Sequence, residues 1–306
     1  MSYQDMPDVT PGPDSVVIDV RAAGVCFPDL LLSKGEYQLK LPPPFIPGME
    51  VAGVVSSAPD GSGFAVGQRV CASVLGGYAE QVSAPVANVK PSPAELDDAE
   101  AVSLLVNYHT MYFAFERRAA LRPGETVLVL GAAGGIGVAA IQVAQAMGAR
   151  VIAVVHRSAA MEFVSSLGPD AVIPLGEGWA QAVRDATGGR GVDVVVDPIG
   201  GPAFDDAIRV LATDGRLLVI GFAAGAIPTV KVNRLLLRNV GVLGVGYGEY
   251  INRDPAAGVE FTEGLARLVS AGLKPPPPVR FPLSEGPAAL QLLDDGGVYG
   301  KLVLEP

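Results

Sequence analysis

A glycine-rich turn between an apolar run and a helix-forming segment is the part of the sequence best suited to bind a ligand. The run Thr126–Leu130 leads into small residues, and an apolar helical segment follows. In such a turn the backbone can approach a pyrophosphate, the helix packs closely on the strand, and the free N–H groups of the helix face phosphate. A tight turn without a ligand would also use glycine, but the position between strand and helix favours a dinucleotide loop. Its candidate phosphate contacts are Ala132, Gly134, Gly135, Ile136 and Gly137.

The next apolar run indicates which dinucleotide the loop would bind. A site that prefers NAD carries Asp or Glu about 20 residues past the loop, where the carboxylate binds the ribose hydroxyls. Here the run Val151–Val155 has no acid at its end, and the first acid is Glu162. The residues that follow the run directly are His156, Arg157 and Ser158. A guanidinium and a hydroxyl can hold a 2′-phosphate, so we predict NADPH as the cofactor, unless Arg157 is only a solvated surface side chain.

An acidic residue closes a later apolar run. The predicted strand Val192–Asp197 ends at Asp197, and in a doubly wound sheet ligands bind at the carboxyl ends of the strands. Asp197 is therefore a candidate cofactor contact, and capping of the following loop is the alternative.

These segments belong to a repeated strand–helix pattern that begins near residue 126. Its strands are continuous apolar runs, as expected of a parallel sheet covered on both faces. The first hundred residues instead carry short β-branched runs separated by Gly and Pro, which predict a mostly antiparallel β unit. Past Gly246 the alternation stops, and we expect strands at Val279–Pro282 and Lys301–Glu305 to return to that unit. The sequence thus predicts a doubly wound α/β domain at 106–247, inserted into a β domain made of 1–105 and 248–306.

Composition narrows the choice of partners. The chain has 306 residues, 32 acidic and 22 basic side chains and a net charge of -10. Without a cluster of Lys and Arg, an acidic chain is unsuited to nucleic acid or anionic membranes, because phosphate binding needs a concentrated positive face. No apolar run is long enough for a membrane span, and the first residues lack the pattern of a signal peptide. Two cysteines cannot build a disulfide framework, so we expect a protein of the reducing cytoplasm.

Several further segments occur in an order that is typical of one family. In addition to the glycine-rich loop, these segments are Gly24–Leu30, Pro47–Val55, Gly67–Val70, Asp193–Asp197 and Gly215–Phe222. Together they resemble the medium-chain dehydrogenase/reductase superfamily and, within it, the zinc-independent NADPH:quinone oxidoreductases, of the zeta-crystallin type. The resemblance covers nearly the whole chain, and it implies a GroES-like catalytic domain around a Rossmann domain.

Zinc alcohol dehydrogenases resemble the same segments, but their metal ligands are not all present here. Cys26 stands at the position of one ligand, whereas Met49 replaces a histidine and Val106 replaces the third ligand. A catalytic zinc needs about three protein ligands, so we predict no metal and expect Cys26 to line the cleft. Without a Lewis acid, reduction of an isolated carbonyl is disfavoured, whereas a quinone or enone spreads the incoming charge by conjugation.

The resemblance also implies the residues that contact the acceptor. In the resembling reductases the acceptor lies in the cleft between the domains, beside the segment that here runs from Cys26 to Tyr37. Tyr37 matches an active-site tyrosine that would hydrogen-bond the acceptor oxygen, and Asn107 lies on the helix predicted over Ala99–Glu116. The candidate catalytic residues are therefore Tyr37, Cys26 and Asn107.

Further cofactor contacts follow from the same resemblance. Thr110 matches a threonine near the nicotinamide, and Phe222 with Ala223 match a segment whose backbone lies beside it. We expect Tyr247 to line the acceptor pocket, and His109 to lie on the helix surface.

The implied activity is transfer of a hydride from NADPH to a small-molecule quinone. Reduction of an enone or an enoyl thioester is a close alternative, and a protein that binds NADPH without turnover is a remote one. The apolar run Val240–Val245 resembles the edge strand through which these reductases dimerise, which implies a homodimer.

Overall fold

The computed structural model describes residues 1–306, which form two compact units. One unit comprises Met1–Val106 and Lys274–Pro306, and the other comprises Asn107–Leu273. The strands are β1 (Ser15–Val25), β2 (Glu50–Ser57), β3 (Arg69–Ser73), β4 (Gln81–Pro85), β5 (Val89–Pro91), β6 (Thr126–Val129), β7 (Arg150–Val155), β8 (Ala171–Pro174), β9 (Val192–Asp197), β10 (Leu211–Val219), β11 (Gly241–Gly244), β12 (Val279–Pro282) and β13 (Leu302–Glu305).

Short helices connect and cover these strands. The α-helices are α1 (Phe27–Ser33), α2 (Asp98–Ser103), α3 (His109–Phe113), α4 (Gly135–Ala146), α5 (Met161–Ser166), α6 (Trp179–Ala186), α7 (Ala203–Arg209), α8 (Asn233–Leu236), α9 (Tyr247–Arg253), α10 (Pro255–Ser270) and α11 (Gly286–Asp294). Short 3₁₀-helices occupy Val86–Asn88, Ser158–Ala160 and Leu283–Glu285. None of the helices combines the length and the apolar character that crossing a membrane requires.

The first unit is built on a seven-stranded sheet. Its strands follow the order β12-β13-β1-β2-β3-β5, and β4 also pairs with β1. Every pair is antiparallel except β12 with β13. β1 takes the central place because its apolar side chains, among them Val16, Ile18 and Val25, belong to the core of this unit. Since β13 pairs with β1, the end of the chain returns to the first sheet, as the sequence predicts.

The second unit contains a six-stranded sheet in the order β11-β10-β9-β6-β7-β8. All of its pairs are parallel. Val127, Leu128 and Val129 of β6 are fully buried, as expected of a central strand that helices cover on both faces. The predicted fold class, a doubly wound sheet inserted into a mostly antiparallel β domain, is confirmed.

The chain passes from the second unit back to the first between residues 273 and 274, rather than between 247 and 248 as predicted. The segment 248–273, which the sequence analysis assigns to the first domain, packs within the second unit through an aromatic cluster. Phe261 of α10 lies against Phe113 of α3, with ring centroids 5.5 Å apart, and Tyr250 lies 5.0 Å from Phe113. These aromatic contacts bury apolar area within the second unit, and this packing holds the segment 248–273 there.

One irregular helix runs from Asp98 to Ala119 and contains α2 and α3. Asp97 caps it, because its Oδ1 accepts a hydrogen bond from the Glu100 amide at 2.7 Å, and Glu100 Oε2 accepts one from the Asp97 amide at 3.1 Å. This is the reciprocal arrangement of a capping box. Two π-helical turns interrupt the α geometry: the first π turn, Leu104–Tyr108, and a second at Ala114–Ala119. The sequence predicts the helix but not these turns.

Candidate functional site

The glycine-rich loop lies where the strand order of the second sheet reverses. β6 and β9 are neighbours, and the chain leaves them towards opposite edges, which is where ligands bind in open α/β sheets. The Gly134 amide donates to the Gly131 carbonyl, and the Ala132 amide donates to the Val154 carbonyl, both at 3.1 Å. α4 then begins without a side-chain hydrogen bond at its cap. Its first N–H groups have no partner one turn earlier in the helix, so they can bind an anion.

Two glycines of the loop serve different needs. A Cβ at Gly137 would lie 2.3 Å from the Gly131 carbonyl oxygen, so the packing of α4 on the loop requires glycine there. A Cβ at Gly134 would meet only that same oxygen, at 3.6 Å, and Gly134 is exposed. Packing within the protein therefore leaves space at Gly134 that a phosphate can fill. The loop fits the pyrophosphate of a dinucleotide.

The other loop candidates differ in burial. Ala132 is fully buried, and Gly135 and Ile136, which form the first turn of α4, are half-buried. The backbone amides of this turn, rather than side chains, are the groups that the loop can offer to a ligand.

The end of β7 presents a short exposed segment beside this loop. His156, Arg157 and Ser158 are all exposed, and they follow Val154, whose carbonyl binds the loop. The Arg157 carbonyl accepts a hydrogen bond from the Ala160 amide at 3.0 Å, which closes the turn. The structure thus brings the three predicted ribose contacts to the same sheet edge as the phosphate loop.

Asp197 caps the loop that follows β9. Its side chain is buried, and Oδ1 accepts hydrogen bonds from the amides of Ile199 at 2.9 Å and Gly200 at 2.8 Å. Burial raises the pKa of Asp197, although these two hydrogen bonds oppose the shift. Oδ1 of Asp197 therefore caps the loop, which was the alternative given by the sequence. A contact between Asp197 and the cofactor stays a prediction.

The loop after β10 is bonded to the loop after β9. The Ala223 amide donates to the Pro198 carbonyl at 3.1 Å, and the Ala224 amide donates to the Ile199 carbonyl at 3.0 Å. Phe222 and Ala223 are exposed on this loop. The loops after β6, β9 and β10 therefore share the carboxyl edge of the sheet, where the predicted cofactor contacts are gathered.

The helix that enters the second unit is tied to α4. The Tyr108 hydroxyl donates to Gln142 Oε1 of α4 at 2.5 Å, and burial raises the pKa of Tyr108. Beside Tyr108, Asn107 is buried and Thr110 is half-buried. This bond holds the segment that carries Asn107 and Thr110 against the helix that starts at the phosphate loop.

The expectation that His109 lies on the helix surface is wrong. His109 is buried, its ring stacks on Tyr247 at 5.9 Å, and Nε2 lies 3.2 Å from Thr262 Oγ1. The Thr262 hydroxyl donates to the Gly258 carbonyl at 2.8 Å, so its oxygen accepts and His109 Nε2 carries the proton. Tyr247, expected at the acceptor pocket, packs in this aromatic cluster, and burial raises its pKa to about 12.

In the first unit, Cys26 lies in a buried group of polar side chains. The Cys26 thiol donates to Glu50 Oε1 at 2.9 Å and accepts from Lys301 Nζ at 3.2 Å, and Lys301 also binds Glu50 Oε1. Burial, together with the Glu50 carboxylate, raises the pKa of Cys26 well above its ordinary value, so the thiol stays protonated. Burial alone would lower the pKa of Lys301, but its contacts with Cys26 and Glu50 outweigh burial and raise it.

Asp29 holds the start of α1 in place. It is fully buried, and its Oδ2 accepts hydrogen bonds from the Cys26 amide at 2.9 Å and the Tyr78 hydroxyl at 3.1 Å. Oδ1 accepts a further one from the Gly48 amide at 3.2 Å. Burial raises the pKa of Asp29 to about 6, although the hydrogen bonds from the Cys26 amide and the Tyr78 hydroxyl favour the ionised form.

Tyr37 lies shortly after α1 in the same unit. Its amide donates to the Leu31 carbonyl at 3.2 Å, and its side chain is half-buried. Burial, with Cys26 and Asp29 within electrostatic range, raises the pKa of Tyr37. The structure thus brings Tyr37 and Cys26 to one region, and the phenol is a hydrogen-bond donor at neutral pH.

The donor set around Cys26 does not fit a zinc ion. The thiol already binds the Lys301 ammonium at 3.2 Å, and a fixed positive charge at that distance opposes a metal cation. Nowhere in the chain are three or more His, Cys, Asp or Glu side chains arranged to hold a metal. No step of the chemistry is therefore assigned to zinc.

Sequence reasoning did not find the partners of Cys26. Lys301, Glu50 and Asp29, which bond to Cys26, are all buried charged residues, and the sequence pattern assigns no role to them. The one signal for Lys301 is a charged residue that directly precedes a strand whose residues are all apolar up to Glu305.

Comparisons with known proteins identify the family of this chain. Residues 12–94 match the family model for the alcohol dehydrogenase GroES-like domain, and residues 135–263 match the model for zinc-binding dehydrogenases. Among curated proteins, quinone oxidoreductase-like protein 2 of Rattus norvegicus is 37% identical over 83% of this chain and 74% of its own length. An acryloyl-coenzyme A reductase of Metallosphaera sedula is 30% identical over 98% of this chain and 95% of its own.

Solved structures show the same fold. A probable oxidoreductase from Mycobacterium abscessus is 60% identical, with a TM-score of 0.93 over 100% of this chain and 94% of its own. The quinone oxidoreductase of Thermus thermophilus, which was also solved in complex with NADPH, is 36% identical, with a TM-score of 0.84 over 99% of this chain and 95% of its own.

Proposed function

Since this chain belongs to the medium-chain dehydrogenase/reductase family, in its quinone oxidoreductase-like branch, and is an oxidoreductase, we propose that it reduces a quinone with hydride from NADPH. When bound, NADPH supplies the hydride from C4 of its nicotinamide. The protein must hold the dinucleotide, orient the acceptor and provide a hydrogen-bond donor to the acceptor oxygen.

The preference for NADPH rests on the end of β7. Arg157 and Ser158 are exposed there, and no carboxylate precedes Glu162. A guanidinium forms charge-assisted hydrogen bonds with a phosphate, and the loop before α4 supplies backbone N–H groups for the pyrophosphate. The NADPH complex of the Thermus thermophilus quinone oxidoreductase supports the same cofactor.

The proposal that the acceptor is a quinone rests on the side chains that surround Cys26. The Lys301 ammonium stands beside the thiol, so these side chains do not fit a metal ion that would act as a Lewis acid toward a developing alkoxide. An acceptor that spreads the incoming charge by conjugation needs less assistance, and quinones have this property. The quinone oxidoreductase-like relatives support this choice.

Tyr37 is the residue that we assign to the acceptor oxygen. Reduction of a quinone adds one hydride and one proton, so the acceptor oxygen needs a donor as negative charge develops on it. The raised pKa of Tyr37 keeps its phenol protonated. Cys26 is a poorer donor, because its thiol is already shared between Glu50 and Lys301.

A panel of acceptors tests the activity. Purified protein is mixed with NADPH and, separately, a 1,4-quinone, an alkenal or crotonyl-CoA, and the loss of NADPH absorbance is followed. We expect the quinone to give the highest kcat/KM. Measurable NADPH binding without turnover of any acceptor would contradict the proposal and favour a non-catalytic NADPH-binding protein.

Enoyl reduction is the second candidate. The similarity to the acryloyl-coenzyme A reductase of Metallosphaera sedula favours it. In that reaction the hydride goes to the β-carbon and a proton to the α-carbon of the enoyl group. A kcat/KM for crotonyl-CoA above that for every quinone in the panel would favour this candidate.

Two matched variants test the cofactor. Arg157→Ala removes the arginine at the carboxyl end of β7, and Arg150→Ala removes an exposed arginine at the other end of the same strand, where it pairs with Asp170. We expect Arg157→Ala to weaken NADPH binding by about tenfold or more without changing NADH binding. Arg150→Ala should change neither, and full NADPH affinity in Arg157→Ala would refute the assignment.

We also propose that the chain forms a homodimer through β11. This strand is at the edge of the second sheet, and an edge strand can pair with a second copy of the chain. Light scattering should give the dimer mass for the wild type and the monomer mass for Leu243→Lys, a charged substitution within β11. A monomeric wild type would contradict this.

A further inference from the structure

Glu50 bonds to the backbone of the helix that carries Asn107. Its Oε2 accepts a hydrogen bond from the Val106 amide at 2.8 Å, and Val106 is the middle residue of the first π turn. A side chain that enters the hydrogen-bond ladder of a helix is a recognised cause of local irregularity. The carboxylate therefore meets the helix at the turn where α geometry is lost.

The carboxylate is itself held on its other side. Glu50 is 0% exposed, and its Oε1 binds both the Lys301 ammonium and the Cys26 thiol. Gly24 makes room for it, because a Cβ at Gly24 would lie 2.2 Å from Oε1. With one oxygen fixed in this way, the other has a defined position from which to accept the Val106 amide.

We infer that Glu50, held by Lys301, is a positioning residue that keeps the first π turn in its observed form and thereby orients Asn107 and Thr110. An α-helical turn in its place would rotate the side chains that follow by about 100°, the angle per residue of an α-helix. The inference rests on the proposed function, since it concerns residues assigned to the cofactor and the acceptor.

Two double variants test the inference. Glu50→Met/Lys301→Met removes the acceptor of the Val106 amide, and Glu50→Gln/Lys301→Met keeps an amide oxygen that can accept it. Both remove the two charges together, which avoids a buried unpaired charge. They therefore differ only at position 50, in the groups offered to the Val106 amide and to the Cys26 thiol.

The first measurement is amide hydrogen exchange, resolved by residue. In the wild type the Val106 amide should be among the slowest of the first π turn. In Glu50→Met/Lys301→Met it should exchange about tenfold faster or more, whereas Glu50→Gln/Lys301→Met should stay close to the wild type. A fast Val106 amide in the wild type overturns the inference, whether or not the variants fold, and so does equal exchange in the two folded variants.

The second measurement is turnover with a 1,4-quinone. Misplacement of a positioning group should lower kcat by about tenfold to a hundredfold in Glu50→Met/Lys301→Met and raise the isotope effect from NADPH deuterated at C4. Glu50→Gln/Lys301→Met should recover most of the rate. Equal kcat in both variants overturns the inference, whereas a wild type without turnover refutes the proposed function and leaves exchange to decide whether Glu50 holds the turn.

Discussion

At the scale of single residues, Tyr37 is the side chain whose chemistry is most directly testable. It is half-buried, and its raised pKa keeps the phenol protonated. In Tyr37→Phe the ring is kept and only the donor is lost. We expect kcat/KM for quinones to fall by about tenfold to a hundredfold, as when a donor to a developing negative charge is removed.

Steady-state kinetics and NADPH titration of the same preparation check this expectation. NADPH affinity should not change, since Tyr37 lies outside the unit that carries the dinucleotide loop. Tyr3→Phe, at an exposed tyrosine of the first unit, is the control. An unaltered kcat/KM in Tyr37→Phe would remove Tyr37 from the mechanism.

Asp29 links the stability of the first unit to pH. Burial raises its pKa from 3.8 to about 6, so the folded protein binds a proton more tightly than the unfolded chain does. This group therefore favours folding at low pH, and its contribution is lost as pH rises from about 4 to above 6, by up to about 3 kcal/mol. Asp29→Asn removes the effect, so the free energy of unfolding of the wild type should decline relative to the variant over that range.

Urea unfolding of both proteins at several pH values measures this difference. Asp97→Asn is an informative control because the pKa of Asp97 is shifted in the opposite direction to that of Asp29. Burial raises the pKa of Asp97, but hydrogen bonds from the Glu100 amide and Arg280 outweigh burial and lower it, so its contribution is present at neutral pH and lost as pH falls. A pH-independent difference between the wild type and Asp29→Asn would show that Asp29 does not titrate in this range.

At the scale of elements, the loop between β6 and α4 contains one glycine that we expect to be needed for folding and another that we expect to be needed for NADPH binding. A Cβ at Gly137 would overlap the Gly131 carbonyl oxygen, whereas a Cβ at Gly134 would meet only ordinary contact. Gly137→Ala should therefore destabilise the protein by about 1–3 kcal/mol or more, the usual cost of overpacking. Gly134→Ala should keep the stability of the wild type and lose NADPH affinity by about tenfold or more.

Thermal unfolding and NADPH titration distinguish the two effects. Each variant serves as the control for the other, since both add one methyl group to the same loop. Full NADPH affinity in Gly134→Ala would mean that no phosphate approaches the backbone there.

The same elements show what sequence patterns can predict. The apolar runs within β6, β7 and β9 predict the parallel sheet because a strand buried on both faces has few polar positions. The first π turn was not found, because its cause is a carboxylate more than fifty residues earlier, Glu50, which bonds to Val106. Lys301 was missed for a similar reason: a buried lysine is stable only beside its partners, and these are distant in sequence.

At the scale of the whole molecule, the first unit is assembled from the two ends of the chain. β13 lies between β12 and β1, and Leu304 pairs with Ala23. The second unit, in contrast, is continuous in sequence and has its own buried core. The first sheet can therefore be completed only when the last residues are available, whereas the second sheet depends on contacts within 107–273.

Removal of Lys301–Pro306 should consequently affect the two units differently. Leu302, Val303 and Leu304 are almost fully buried, and each contributes about 1.5–3 kcal/mol, so their loss is comparable with the about 5–15 kcal/mol that stabilises a typical domain. The truncation also leaves Glu50 buried without its ammonium partner.

We expect hydrogen exchange in β1 and β2 to become fast in the truncated chain, while β6 and β9 stay protected. Deletion of the exposed Met1–Met6 is the control, and protection that is retained in β1, or lost equally from both sheets, would contradict the view that the second unit folds on its own contacts while the first depends on β13.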